Sequence, residues 1–187
     1  MSIRYLLMGC WLICGLAVAD SRALIEHSGA GYQGTLMLNQ AAGDSHQQVN
    51  ARAIAPGAMP SVSVEQHREG LPAEHMPASI RADIHGNSFT GGSGVLGINQ
   101  SAGAANQQIN GFRVGAGVRP DSLDDSSLAQ SAVLPSSPSS AAGSRQGERQ
   151  VDIDDQAFAD SRGVVQLNQA AGVGNRMVNN LGIRILE

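Results

Sequence analysis

The stretch GTLMLNQAAGDSHQQVNARAI, residues 34–54, returns twice along the chain, as GVLGINQSAGAANQQINGFRV at 94–114 and GVVQLNQAAGVGNRMVNNLGI at 163–183. The three copies align without a gap. Gly34, Gly94 and Gly163 open them, and the pairs Asn39-Gln40, Asn99-Gln100 and Asn168-Gln169 follow at one common offset. Gly43, Gly103 and Gly172 each close an Ala-Gly pair, and a second asparagine, Asn50, Asn110 or Asn179, recurs beyond it. Self-similarity of this kind marks a repeat architecture, in which one supersecondary unit buries its faces against its own copies.

The apolar positions recur as well. Leu36 and Leu38, Leu96 and Ile98, and Val165 and Leu167 lie two apart, the period of a strand. Val49, Ile109 and Val178 recur after the glycine, whereas Ile54, Val114 and Ile183 fall on the opposite parity. The second strand therefore either carries a bulge or buries both faces. Gly43, Gly103 and Gly172 are expected to make the turn, because glycine takes positive φ without steric cost. Alanine favours a rival helical reading, but the asparagines, the central glycine and the two-residue period oppose it.

Strand-turn-strand units of this composition suit stacking. With copies about 4.8 Å apart in register, every backbone group pairs above and below, and each Asn or Gln amide can both donate to and accept from its copy. That includes Gln47 and Gln48 in the first repeat and Gln107 and Gln108 in the second; Arg176 and Met177 replace them in the third. Charges within the repeats are few, which matters because in-register stacking places like over like. The fold expected is all-β: three β-arch repeats stacked as a β-solenoid or cross-β core and separated by disordered linkers. A closed three-coil solenoid that stays monomeric uses the same ladders, but such a fold needs caps to blunt its edges.

The flanking sequence maps onto this frame. Residues 1–19 read as a secretory signal: Arg4, an apolar run, then the small-residue site Ala17-Val18-Ala19, with a run too short for a bilayer span. Cys10, Cys14 and Trp11 all lie in it, so the chain exported from Asp20 has no thiol for a disulfide. Residues 20–33 form a lead, 55–93 and 115–162 are Pro-, Ser- and Gly-bearing linkers expected to stay outside the core, and 163–187 hold the third repeat and the C-terminal end. The net charge of −4, carried with arginine as the sole strongly basic residue type, is no nucleic-acid footprint.

No catalytic, cofactor or metal constellation emerges. His27, His46, His67, His75 and His85 lack the spacing of a helical zinc site and read as exposed. Asp152, Asp154, Asp155 and Asp160 miss the spacing of a calcium loop, and Ser93 between glycines is a lead-in to the second repeat rather than a nucleophile elbow.

Asn-Gln-Ala-Ala-Gly followed by a Gln-rich strand and an asparagine, in three copies split by variable linkers, resembles the Fap functional amyloid subunits of pseudomonads. The resemblance covers nearly the whole chain. It implies export through a dedicated outer-membrane pore, self-association with homologous subunits, and extracellular fibrils that stiffen biofilms, with no cofactor and no membrane insertion after signal removal. The short linkers resemble the minor, nucleating subunit. The major subunit's Cys-x-Cys near the C terminus is absent here. A periplasmic holdase of the same system and a monomeric surface adhesin are the rival readings.

Overall fold

The computed structural model describes residues 20–56, 60–69, 78–116, 128–133 and 147–185. Among them the regular structure is all strand: β1 Ser21–Glu26, β2 Gln33–Asp44, β3 Gln47–Ala55, β4 Val64–Glu69, β5 Ser79–His85, β6 Ser93–Ala104, β7 Gln107–Ala116, β8 Leu128–Val133, β9 Glu148–Ile153, β10 Arg162–Val173 and β11 Arg176–Ile185. The signal-like segment and His75 lie outside the described residues. Every strand pair is parallel, in four sheets ordered β1-β5-β9, β10-β6-β2, β11-β7-β3 and β4-β8. The sheets pack face to face in the order in which the chain visits them.

The repeat sets the register. Along β2, β6 and β10, Gly34, Gly94 and Gly163 are partners, as are Asn39, Asn99 and Asn168, and Gln40, Gln100 and Gln169. Along β3, β7 and β11 the partners are Val49, Ile109 and Val178, then Asn50, Asn110 and Asn179. This second register runs unbroken, so no bulge causes the parity change at Ile54, Val114 and Ile183; Ile54 and Ile183 are exposed there and Val114 is only partly buried. Ile109 packs with Val62 and Leu128 on one face of β7, while Gln108 and Asn110 reach β6 on the other.

β6 is likewise buried on both sides. Leu96 and Ile98 join Ile25, Ile84 and Phe89 in the main apolar cluster, flanked by Leu36, Leu38 and Leu167. Half of this core comes from outside the repeats, and here the composition reading of the spacers fails. β1 lies in the lead, and β4, β5, β8 and β9 lie in residues 55–93 and 115–162. Ile80, Ala82 and Ile84 of β5 are at most 1% exposed. The physical reason is that the apolar face of β2 and β6 must be covered: Ile84 packs with Leu36 and Leu38, Ile80 and Ala82 pack on Ala42 and Ala102, and the buried Asp83 is bonded by Arg22.

The turn also differs from expectation. Gly43, Gly103 and Gly172 have positive φ but remain in strands; the left-handed turn residues are Ser45, Ala105 and Gly174. The glycine is required by stacking instead. A Cβ on Gly103 would lie 2.1 Å from the Gly172 carbonyl oxygen, and one on Gly94 would lie 1.9 Å from that of Gly34. Only hydrogen fits where backbones approach this closely.

If β5 is core, Ile84→Ala costs about 2–4 kcal/mol by the usual large-to-small penalty. The midpoint of denaturant unfolding should fall accordingly, whereas a spacer residue would leave it unmoved.

Candidate functional site

The asparagines form a two-column lattice between the β2-β6-β10 and β3-β7-β11 sheets. Asn168 Nδ2 donates to Asn99 Oδ1 and Asn99 Nδ2 to Asn39 Oδ1, both at 2.9 Å. Asn179 donates to Asn110, and Asn110 to Asn50, again at 2.9 Å. Rungs join the columns: Asn50 to Asn39, Asn110 to Asn99 and Asn179 to Asn168, at 2.8–3.0 Å. The amide orientation is set by the main chain, because Asn99 also donates to the Val49 carbonyl and Asn110 to that of Ile98. Flipping either amide would set oxygen against oxygen.

The glutamines fasten sheet to sheet. Gln40, Gln100 and Gln169 form a third column, with Gln169 donating to Gln100 and Gln100 to Gln40 at 2.9 Å. The same amides reach carbonyls of the first sheet: Gln40 to Leu24, Gln100 to Asp83 and Gln169 to Ala82. Gln107 donates to Gln47, and Gln48 donates to Gln108. Both of these columns stop at the third repeat, where Arg176 and Met177 occupy the register positions.

The structure thus brings together all the sequence-selected amides. Leu36, Leu38, Leu96, Ile98 and Leu167 belong to the apolar cluster facing the first sheet, on the side of the Gln40-Gln100-Gln169 column and opposite the asparagines. Val165 and Val178, in the outermost copy, remain exposed.

Two further columns lay outside the sequence reading. His46, Asn106 and Asn175 occupy the position just before β3, β7 and β11; Asn175 donates to Asn106, and His46 bonds the Ala42 carbonyl and Ser101. Asn106 and Asn175 share an offset and were legible in the alignment, but His46 disguised the column. His46 was expected to be exposed, yet it is half-buried. Gln130 donates to Gln66 within the β4-β8 pair, and the only linker signal for it is the short pattern shared by Val64-Glu65-Gln66 and Leu128-Ala129-Gln130. Phe89 and Phe158 stack at 5.4 Å, and Gly29 leaves room for the ring in the first repeat.

The acidic stretch serves local structure. Asp154 accepts from the Gln156 and Gly86 amides, which hold its carboxyl below the usual range. His85 lies 3.5 Å from Asp152, and His67 lies 3.2 Å from Glu69. Ser93 opens β6.

Residues 15–186 match the functional amyloid protein FapB/FapC family. The chain belongs to that family. No solved structure matches it. Membership of the FapB/FapC family makes this a functional amyloid protein, and within the chain the lattice pairs amides with their copies in successive repeats. The FapB/FapC family is one of structural subunits and not an enzyme family.

Two outcomes test the lattice. Asn99 is fully buried, so Asn99→Asp strands a carboxylate among amides and should cost about 3 kcal/mol or more at neutral pH. Burial raises that new acid's pKa, so stability should partly return in acid, as unfolding midpoints at about pH 7 and pH 4 would reveal. His46 has its pKa pulled below 6.5, chiefly by burial, against the raising effects of hydrogen bonds at Ala42 and Gly103 and of the Asp44 charge. Its neutral form is the one folding favours, so its contribution is complete above 6.5 and is lost as pH falls through the lower folded value. His46→Asn should remove that acid-side loss, read as unfolding midpoint against pH.

Proposed function

We propose that this FapB/FapC chain is a secreted fibre subunit whose three repeats form successive rungs of a β-solenoid, and that copies stack end to end into a cross-β fibre. The observation that carries this is the open Gln column. Gln169 Oε1 is buried yet has no partner, while Gln100 Oε1 in the same column accepts from the repeat above it. A further copy, set with its first repeat over this third one, would bring Gln40 Nε2 to that oxygen.

The asparagine columns support the same polarity. Their donors point toward the first repeat and their acceptors toward the third, so the two ends are complementary and association is head-to-tail. Such a heterologous contact does not close, and it generates a filament. Burial agrees: Asn99, Gln100, Gln107, Gln108 and Asn110 of the central repeat are at most 1% exposed, and stacking would bring the outer repeats to the same state.

Within the family, the short linkers and the lack of cysteine from Asp20 onward support a minor subunit that nucleates or joins extracellular fibrils of a biofilm. Export through the periplasm and an outer-membrane pore follows from the signal-like leader and the resemblance.

The test is fibrillation of the chain from Asp20, followed by amyloid-dye fluorescence and fibre diffraction, with and without a homologous major subunit. Fibres with the spacing of about 4.7–4.8 Å, and a shortened lag for the major subunit, are expected. A persistent monomer that delays the major subunit's growth would make the chain a holdase instead. Replacing Asn39, Asn99 and Asn168 together by Asp should lengthen the lag severalfold, because a carboxylate then faces a carboxylate at every layer; unchanged kinetics would remove the ladder from the mechanism.

A further inference from the structure

The described strands do not match in number from sheet to sheet. Three sheets have one strand per repeat, but the outermost has only β4 and β8. Side-chain bonds tie each of these strands to two successive repeats, as Gln107 reaches both β4 and β8 and, in the first sheet, Gln100 reaches both β1 and β5. β4 bridges the first and second repeats: Gln47 donates to the His67 carbonyl, and Gln66 donates to the Gln108 carbonyl. β8 bridges the second and third in the same way, with Gln107 donating to the Ser131 carbonyl and Gln130 to that of Met177.

The next position in this series lies beyond the third repeat, and no described strand fills it. Its floor is Val178, which is 40% exposed, although Ile109 at the same register is fully buried beneath Val62 and Leu128. In a head-to-tail stack the first repeat of the following copy forms the other half of the floor. The position is then flanked by β8 of one copy and β4 of the next, two strand spacings or about 9.6 Å apart. Among the described residues neither edge has a strand neighbour, and such edges take up extended chains.

We propose that every junction between stacked copies carries a slot for one extended strand of a separate polypeptide, parallel to β4 and β8, which clamps the junction. This rests on the stacking reading above. The two resident strands specify the occupant's chemistry. Each carries an apolar residue directed at the floor two positions before a glutamine, as Val64-Glu65-Gln66 and Leu128-Ala129-Gln130. Leu128 lies over Gly111, where a Cβ would come within 2.8 Å of its Cδ1. The glutamine continues the Gln66–Gln130 column and would donate to the Gln48 carbonyl of the following copy, as Gln66 and Gln130 do to Gln108 and Met177. The partner is therefore an extended segment with an apolar-x-Gln core, binding once per subunit along the whole fibre.

The test uses a fluorescent peptide of the β8 sequence, LAQSAV, added to preformed fibres of the chain from Asp20 and, separately, to monomer. Expected are saturation near one peptide per subunit, independent of fibre length, and no binding to monomer. The LAESAV peptide should bind about tenfold more weakly, because a carboxylate cannot donate to the column. Fibres of Val178→Lys that keep the cross-β spacing should also lose uptake. Fibres that diffract correctly but take up no peptide, take it up only in proportion to their ends, or bind both peptides alike would overturn the slot while leaving stacking intact. Failure to form fibres at all would overturn the stacking reading and the slot with it.

Discussion

In-register parallel pairing of like residues is the constraint on which the rest of this chain depends. Once Asn99 is set between Asn39 and Asn168, its amide finds a donor above and an acceptor below, and the backbone of a twelve-residue strand is fixed with it. Slipping the register by one would turn every amide to the other face of its sheet and leave it unpaired in a dry interior. The glycines obey the same constraint. Gly94 and Gly103 lie where successive backbones approach so closely that a methyl group does not fit.

Charges are arranged to tolerate this pairing. In the first sheet Arg22 lies level with Arg81, a like-charge pair that in-register stacking penalises. The side chains escape along the diagonal: Arg22 binds Asp83 at 2.9 Å, and Arg81 binds Glu148 at 2.8 Å. The Arg81–Glu148 pair is largely solvated and adds little stability, whereas Asp83 is buried beneath a half-exposed Arg22; both pairings remove the repulsion. The amide columns and apolar clusters, in contrast, are neutral and repeat from layer to layer without accumulating charge.

Under the proposed stacking, a packing of this kind would couple folding to association. In the central repeat Asn99, Gln100 and Asn110 are paired on both sides by the chain itself, whereas the outer repeats expose faces of the same design, including the buried, unpartnered oxygen of Gln169. Leaving such a group without a partner costs about 1–3 kcal/mol, and a further copy removes the cost. Breaks at Arg176 and Met177 fall at the edge of the stack, where each ends a glutamine column without disturbing the asparagine lattice.

The repeated asparagines, glutamines and glycines, and the two-residue apolar period, were enough to establish strands, their register and the amide columns, because identical residues at identical offsets pair best with one another. The partners of the apolar stripes were not legible. Leu36 and Leu38 are covered by Ile25 and Ile84, which lie in short alternating runs that share no motif with the repeat and sit among prolines and charges. The same holds for the Gln66–Gln130 pair and for the turn, which falls at Ser45 and Ala105 and not at the preceding glycines. Like-with-like pairing is a local rule that sequence identity records. Which unlike face closes a core is decided by shape and reach in three dimensions, and only the tertiary structure held that information.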